Sequence, residues 1–170
     1  MIIFKRIDEP YMEPECVKSV IDYIFRDNGN VNTYIGGLNI LEPINAAEEF
    51  NMVKSYYGKT AGTQLRHYIV SLEPKDHCIP YMAAELAYLI CAYYGDRYQS
   101  VFSVHSNTQY LHIHIIVNTV SFVDGKKLHE NIGDFVKLEK YCNTCYARVK
   151  GKYSYFSKKQ EISRILLKNI

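Results

Sequence analysis

The sequence predicts an α+β domain in which a central antiparallel sheet of about five strands carries flanking helices. Three observations lead there. Short β-branched and aromatic runs recur at residues 2–7, 66–72, 98–105 and 111–118, each bounded by Gly, Asn, Pro or Asp. Between them, apolar residues fall at helical spacing. The chain also lacks an internal repeat or low-complexity linker, and 170 residues suit one core. Residues 1–170 therefore read as a single domain, with a basic helical C-terminal part from about 126.

The first strand is Ile2–Ile7. Pro14 then sits near the start of a helix running to about Asp27, with Glu13 and Glu15 at its positive end and a stripe of Val17, Val20, Ile21, Ile24 and Phe25. Asp27-Asn-Gly-Asn is loop chemistry. Tyr34–Ile40, interrupted by Gly36-Gly37, is either a short strand or a loop. Asn45 is expected to cap a second helix to about Tyr57. Arg66–Leu72 is a central strand, closed by Pro74. A third helix spans about Pro80 to Tyr94 and ends at Gly95. Two strands containing histidines follow, then a turn at Asp124-Gly125. A helix over about Asp134–Val149 comes next, and Ser157 is expected to cap a last one to Lys168.

Composition narrows the function. No apolar run approaches a membrane span, and Met-Ile-Ile-Phe-Lys-Arg lacks a signal-peptide pattern, so a cytoplasmic protein without membrane insertion is expected. Five irregularly spaced cysteines fit reduced thiols better than a disulfide framework. The net charge of +2 conceals an asymmetry: residues 1–125 hold nine Lys and Arg against fourteen Asp and Glu, residues 126–170 eleven against four. In the basic part Arg148, Lys150 and Lys152 interleave with Tyr153 and Tyr155. Cations beside rings suit single-stranded nucleic acid, although a solvated helix end has the same composition.

The richest segment is His105-Ser-Asn-Thr-Gln-Tyr-Leu-His-Ile-His-Ile-Ile-Val-Asn118. His112 and His114 alternate on a strand, so both imidazoles share one face. If the run ending at His105 pairs antiparallel with theirs, three imidazoles converge near one end of a hairpin. That is the donor set of an open metal site able to bind phosphate oxygens. The attacking group is less obvious, because no Gly-x-Ser-x-Gly or Cys–His pairing is present and Gly58-Lys-Thr-Ala-Gly-Thr lacks full phosphate-loop spacing. Tyr23, late in the first helix and just off its stripe, is the best-placed nucleophile. Cys142-x-x-Cys145 lies in a helical pattern without a partner pair and reads as buried apolar filler. His67 reads as structural, with contact to metal or DNA as the alternative, His77 as exposed, and His129 as a phosphate contact.

The segment 104–120, followed by Gly125-Lys-Lys-Leu-His129, resembles the third motif of mobilisation relaxases, members of the relaxase/mobilisation nuclease family within the His-hydrophobic-His (HUH) endonuclease superfamily. Ile21-Asp-Tyr-Ile-Phe-Arg-Asp27 resembles their first motif, a helix bearing the nucleophilic tyrosine. Arg66-His-Tyr-Ile-Val-Ser-Leu-Glu-Pro74 resembles their second, in which a serine lies near DNA. The resemblance implies a relaxase-like fold and metal-dependent nicking of one DNA strand at an origin of transfer. Tyr23 would form a 5′-phosphotyrosyl link, while His105, His112 and His114 hold Mg²⁺ or Mn²⁺. Ser71, Arg26, Lys126, Lys127, His129, Arg148, Lys150 and Lys152 would contact single-stranded DNA. Accessory nicking proteins and a coupling protein would be the partners in mobilising a plasmid or integrative element.

The family commonly places carboxylates before the His pair. Here those positions read Asn107, Gln109 and Tyr110, so an orienting carboxylate is missing or comes from elsewhere. Two other readings stay open. A rolling-circle replication initiator of the same superfamily would use a late tyrosine such as Tyr141 or Tyr146. A single-stranded-DNA-binding protein would have no catalysis.

Overall fold

The computed structural model describes residues 2–26, 34–74, 78–106 and 110–168, with side chains to Tyr155. In chain order the elements are β1 (Ile2–Arg6), α1 (Cys16–Phe25), β2 (Tyr34–Leu38), a 3₁₀ turn (Pro43–Asn45), α2 (Ala46–Tyr56), β3 (Leu65–Leu72), α3 (Pro80–Cys91), β4 (Ser100–His105), β5 (Leu111–Asn118) and α4 (Ile132–Lys168). The five strands form one antiparallel sheet in the order β1-β3-β5-β4-β2. The predicted α+β class and strand number hold.

Period-2 alternation divides the sheet's apolar residues between two cores. On one face Tyr68, Val70, Phe102, Val104, Ile113, Ile115 and Val117 pack under α3 and α4. On the other, Leu65, Val101 and Ile116 pack under Val17, Ile21 and Ile24 of α1 and Ala46, Ala47 and Phe50 of α2. The second core occupies only part of its face. Toward the end of the sheet holding His105 and His112, polar side chains replace apolar ones, and this is where the candidate site lies.

Several boundaries differ from the expected ones. Glu13-Pro14-Glu15 forms a turn, with Cys16 N donating to Glu13 O, and the helix proper begins at Cys16. It ends at Phe25 because Arg26 turns extended; Asp27 lies outside the described residues. Asn45 makes no side-chain cap. The preceding loop is instead held by Glu49, whose carboxylate accepts from the Leu41 and Glu42 amides. The third helix stops at Cys91, ahead of the turns that reach Gly95. Residues 132–168 form one continuous helix instead of two, since nothing after Val149 removes an amide donor and Gly151 has only open space around it. Tyr34–Leu38 is a strand, on the sheet edge. Gly36 faces the Phe102 ring so closely that a Cβ would lie 2.5 Å from it, which explains the glycine that interrupted the apolar pattern.

The α3/α4 side is fastened by a buried carboxylate. Glu130 accepts from the Tyr68 and Tyr94 hydroxyls at 2.7 and 2.8 Å and pairs with Arg6 at 3.0 Å. Its side chain is 2% exposed, so its charge is stabilised almost wholly by these three donors. Glu130→Ala is expected to cost about 2–4 kcal/mol. Urea denaturation would show this as a lower midpoint, and an unchanged midpoint would mean that the three donors find other partners.

Candidate active site

Strand register assembles the site. His105 on β4, His112 on β5 and Ser71 on β3 are direct cross-strand partners, so they form one row on one face. The next row holds Ser103, His114 and Ile69, and the third Val101, Ile116 and His67. His105 and His67 are therefore the diagonal neighbours of His114 on its two sides. Ring centroids confirm the diagonal: His105–His114 is 4.6 Å and His67–His114 is 5.3 Å.

α1 crosses this face. Its apolar stripe locks onto Ile116 and Val101, which carries the last turn over the histidines. The Ile24 carbonyl accepts from His105 Nε2 at 2.6 Å, tying helix to strand. Tyr23 is turned off the stripe and is 54% exposed, with its ring 6.1 Å from that of His114 in an edge-on arrangement. A cavity of about 320 Å³ opens between them, lined by Tyr11, Tyr23, His67 and His114, with Ser19 and Val20 from α1.

The imidazoles form a hydrogen-bonded chain. His67 Nε2 lies 3.0 Å from His114 Nδ1, and His67 Nδ1 lies 3.2 Å from the Tyr11 hydroxyl. Burial holds both rings neutral, pushing His67 down to about 4 and His114 to about 3; the neighbouring imidazoles add to the effect at His114. His112 is lowered as well, by burial and by His105. Tyr11 is pushed up to about 12 by burial, so its hydroxyl keeps its proton.

Neutral imidazoles are the form that binds metal, and three of them on adjoining strands have the donor chemistry for a divalent cation. With Nδ1 of His114 facing His67 and Nε2 of His105 facing a carbonyl, the nitrogens left for an ion are His114 Nε2 and His105 Nδ1. Among the described residues no three His, Cys, Asp or Glu side chains converge on one point as they stand. The donor chemistry, though not the present convergence of the rings, suits a divalent cation.

The remaining sequence-predicted residues are spread over the molecule. Ser71 shares the row of His105 and His112, and Arg26 is exposed just past α1. Lys126, Lys127 and His129 lie at the opposite end of the sheet: Lys127 bridges to Val120, about 20 Å beyond His114 along the strand direction. The Lys127 ammonium donates to the Ala61 and Thr63 carbonyls, and Lys126 pairs with Asp124 at 3.3 Å. Arg148, Lys150 and Lys152 ride on α4, across the sheet from the histidines, where Lys152 pairs with Glu85 at 2.8 Å. Asn107, Gln109 and His77 lie outside the described residues. Cys142 and Cys145 are buried in the α3/α4 core, as apolar filler would be.

Two residues of the candidate site lie outside the predicted set. His67, read mainly as structural, has a partner in the cluster, and Tyr11, which the sequence did not single out, stands behind it. A known β3–β5 register would have revealed His67; nothing local marks Tyr11, which is held at φ 41° in a loop.

An imidazole row on an antiparallel sheet, roofed by a helix that presents a phenol, is what the fold builds, and the class comes from the family it matches, a nuclease domain. The MobA/VirD2-like relaxase nuclease domain matches residues 23–149, and the chain belongs to that family. Protein rlx of Staphylococcus aureus is 27% identical over 86 residues, which cover 51% of this chain and 26% of that protein. The match thus spans about a quarter of that relative's length. A solved structure described as "Molecular Basis of Vancomycin Resistance Transfer in Staphylococcus aureus" shares the fold, with a TM-score of 0.60 at 13% identity over 90% of this chain and 94% of that one. Among the described residues no helix is long and apolar enough to cross a membrane.

The buried imidazoles set a pH dependence. The unfolded chain protonates each of them near pH 6.5, the folded chain only near 4 and 3. Stability is then full above about 6.5 and falls as pH drops through 5 toward 3, each imidazole contributing a slope of up to about 1.4 kcal/mol per pH unit. Urea midpoints measured from pH 7.5 to 5 should decline in the native chain and decline less in a His67→Gln, His114→Gln double variant. Equal slopes would show that other groups dominate.

Proposed function

We propose that the domain nicks one strand of DNA at an origin of transfer by tyrosine transesterification, the first step in mobilising a plasmid or integrative element. The observation that carries this reading is the exposed Tyr23 phenol, edge-on to His114 above a cavity open to substrate. Family membership supports nuclease action, and the geometry supports the choice of nucleophile.

The Tyr23 oxygen attacks the scissile phosphorus. A phenolic P–O bond forms and the bond to the 3′-oxygen breaks, with the phenol's proton ending on the departing 3′-hydroxyl. The product is a 5′-phosphotyrosyl ester, which keeps the energy of the broken diester for later rejoining. His105, His112 and His114 would hold Mg²⁺ or Mn²⁺, which when bound polarises the phosphoryl group for attack. An all-imidazole set favours Mn²⁺ over Mg²⁺, whose preference is for oxygen ligands.

The α1 roof and the Ile24–His105 bond keep the phenol and the imidazoles in fixed relation, supplying orientation in place of a flexible encounter. Ser71 and Arg26 are the DNA contacts nearest the site. Lys126, Lys127, His129, Arg148, Lys150 and Lys152 would meet DNA away from the nick, before or after it passes the sheet end. The working setting is the cytoplasm, with accessory nicking proteins and a coupling protein as partners. Tyr141 is partly buried and Tyr146 buried, both on α4 across the sheet, which weighs against a late-tyrosine replication initiator.

Incubation with labelled single-stranded origin DNA and Mn²⁺ tests the reading. A covalent protein–DNA adduct is expected, lost in Tyr23→Phe while DNA binding stays within a few-fold. His114→Ala should lower adduct yield by at least about a hundredfold, more than loss of an outer-shell partner costs. Cleavage without adduct would identify a metal-only hydrolase, and tight binding without cleavage a non-catalytic binder.

A further inference from the structure

We infer that His67 and Tyr11 form an orienting relay for His114, doing for a metal ligand what a carboxylate would otherwise do. The inference rests on the metal-binding reading of the histidine cluster. No Asp or Glu occurs anywhere from Ser106 to Asn118, so the strand that carries His112 and His114 brings no acidic partner with it. A ligand imidazole nonetheless needs an acceptor on its second nitrogen, to fix the tautomer and hold the ring plane. For His114 that acceptor is His67 Nε2 at 3.0 Å from Nδ1, in a pair that is only 4% and 7% exposed.

The relay has a direction. If His114 presents Nε2 to an ion, its Nδ1–H must donate to His67 Nε2. The His67 proton is then on Nδ1 and donates to the Tyr11 oxygen, 3.2 Å away. The Tyr11 hydroxyl, relieved of donating to His67, turns its own proton into the cavity that Tyr23 also lines. In the opposite direction Tyr11 donates to His67, His67 to His114, and His114 carries its proton on Nε2, where it cannot ligate. One chain of hydrogen bonds therefore couples readiness for metal to a donor aimed at the substrate space. Sheet register builds the first link, because His67 is the diagonal neighbour of His114. The second depends on the Tyr11 loop, pinned by Gln64 N donating to Tyr11 O at 2.8 Å. His67 is a positioning residue in this scheme; it need touch neither metal nor DNA.

Metal titration calorimetry with Mn²⁺ and no DNA tests the relay separately from nicking. His67→Ala should weaken Mn²⁺ binding about 10–100-fold. His67→Gln, whose amide oxygen can accept, should recover most of the loss, and Tyr11→Phe should cost a smaller factor. Circular dichroism would establish that each variant is folded, and Tyr11→Phe preserves the test if the alanine variant is not. Long-range ¹H–¹⁵N correlation spectra of the Zn²⁺-loaded protein should show His114 protonated at Nδ1. Unchanged Mn²⁺ affinity in folded His67→Ala, or in Tyr11→Phe where the alanine variant does not fold, ligation of His114 through Nδ1, His67 itself among the ligands, or no metal binding by the native chain would each overturn the relay. Failure of the nicking reading looks different: metal binding sensitive to His67, with no Tyr23 adduct.

Discussion

The antiparallel pairing of β3, β5 and β4 is the constraint on which the rest depends. Cross-strand partners in such a ladder share a face, so a single register decides the company of every side chain. With His105 opposite His112, and Ile69 opposite His114, three imidazoles from two strands and a fourth from β3 fall on one face within three rows. A slip of one residue in either ladder would turn a member of the cluster to the α3/α4 side. Register is held firmly because the same slip would also expose Ile113, Ile115 and Val117, now fully buried.

The same alternation explains why the site sits where it does. The face carrying the histidines is half core and half site: Leu65, Ile116 and Val101 anchor α1 and α2, and the polar rows beyond them are left under the helix end. α1 is short, and its burial residues Val17, Ile21 and Ile24 fix both its rotation and its reach. Tyr23 is exposed as a consequence, since it precedes Ile24 by one position and so points about 100° away from the buried stripe. Placement of the phenol and burial of the helix are thus one event.

Much of this was legible in the chain. Alternating β-branched runs gave the strands, and the His-x-His spacing required a shared face whatever the partner strand. Tyr23 stood out as off-stripe because helical periodicity is local information. What was hidden depends on contacts distant in sequence. Tyr34–Leu38 became a strand only through pairing with β4, with Gly36 serving the Phe102 ring. Asn45 lost its expected capping role because it closes the 3₁₀ turn that runs straight into α2, while Glu49 holds the loop before that turn. The long α4 ran through Ser157 because a residue that favours helix starts does not by itself stop a helix already propagating. His67 looked ordinary on its own strand; only the β3–β5 register gives it a partner.

Charge distribution and site geometry pull in different directions, and that tension is informative. The basic residues of the C-terminal part lie across the sheet or at its far end, and Lys127 and Lys152 are already engaged with protein acceptors. Around the cavity, by contrast, the groups are neutral: burial strips the charge from His67 and His114, and Tyr11 keeps its proton. A neutral site gains little from long-range attraction of a phosphate, so affinity and chemistry are separated in space. On the proposed reading, basic surfaces elsewhere would gather the strand, and the cluster would contribute only once a cation joined the imidazoles. Positive charge would then arise beside Tyr23 where the proposed attack calls for it.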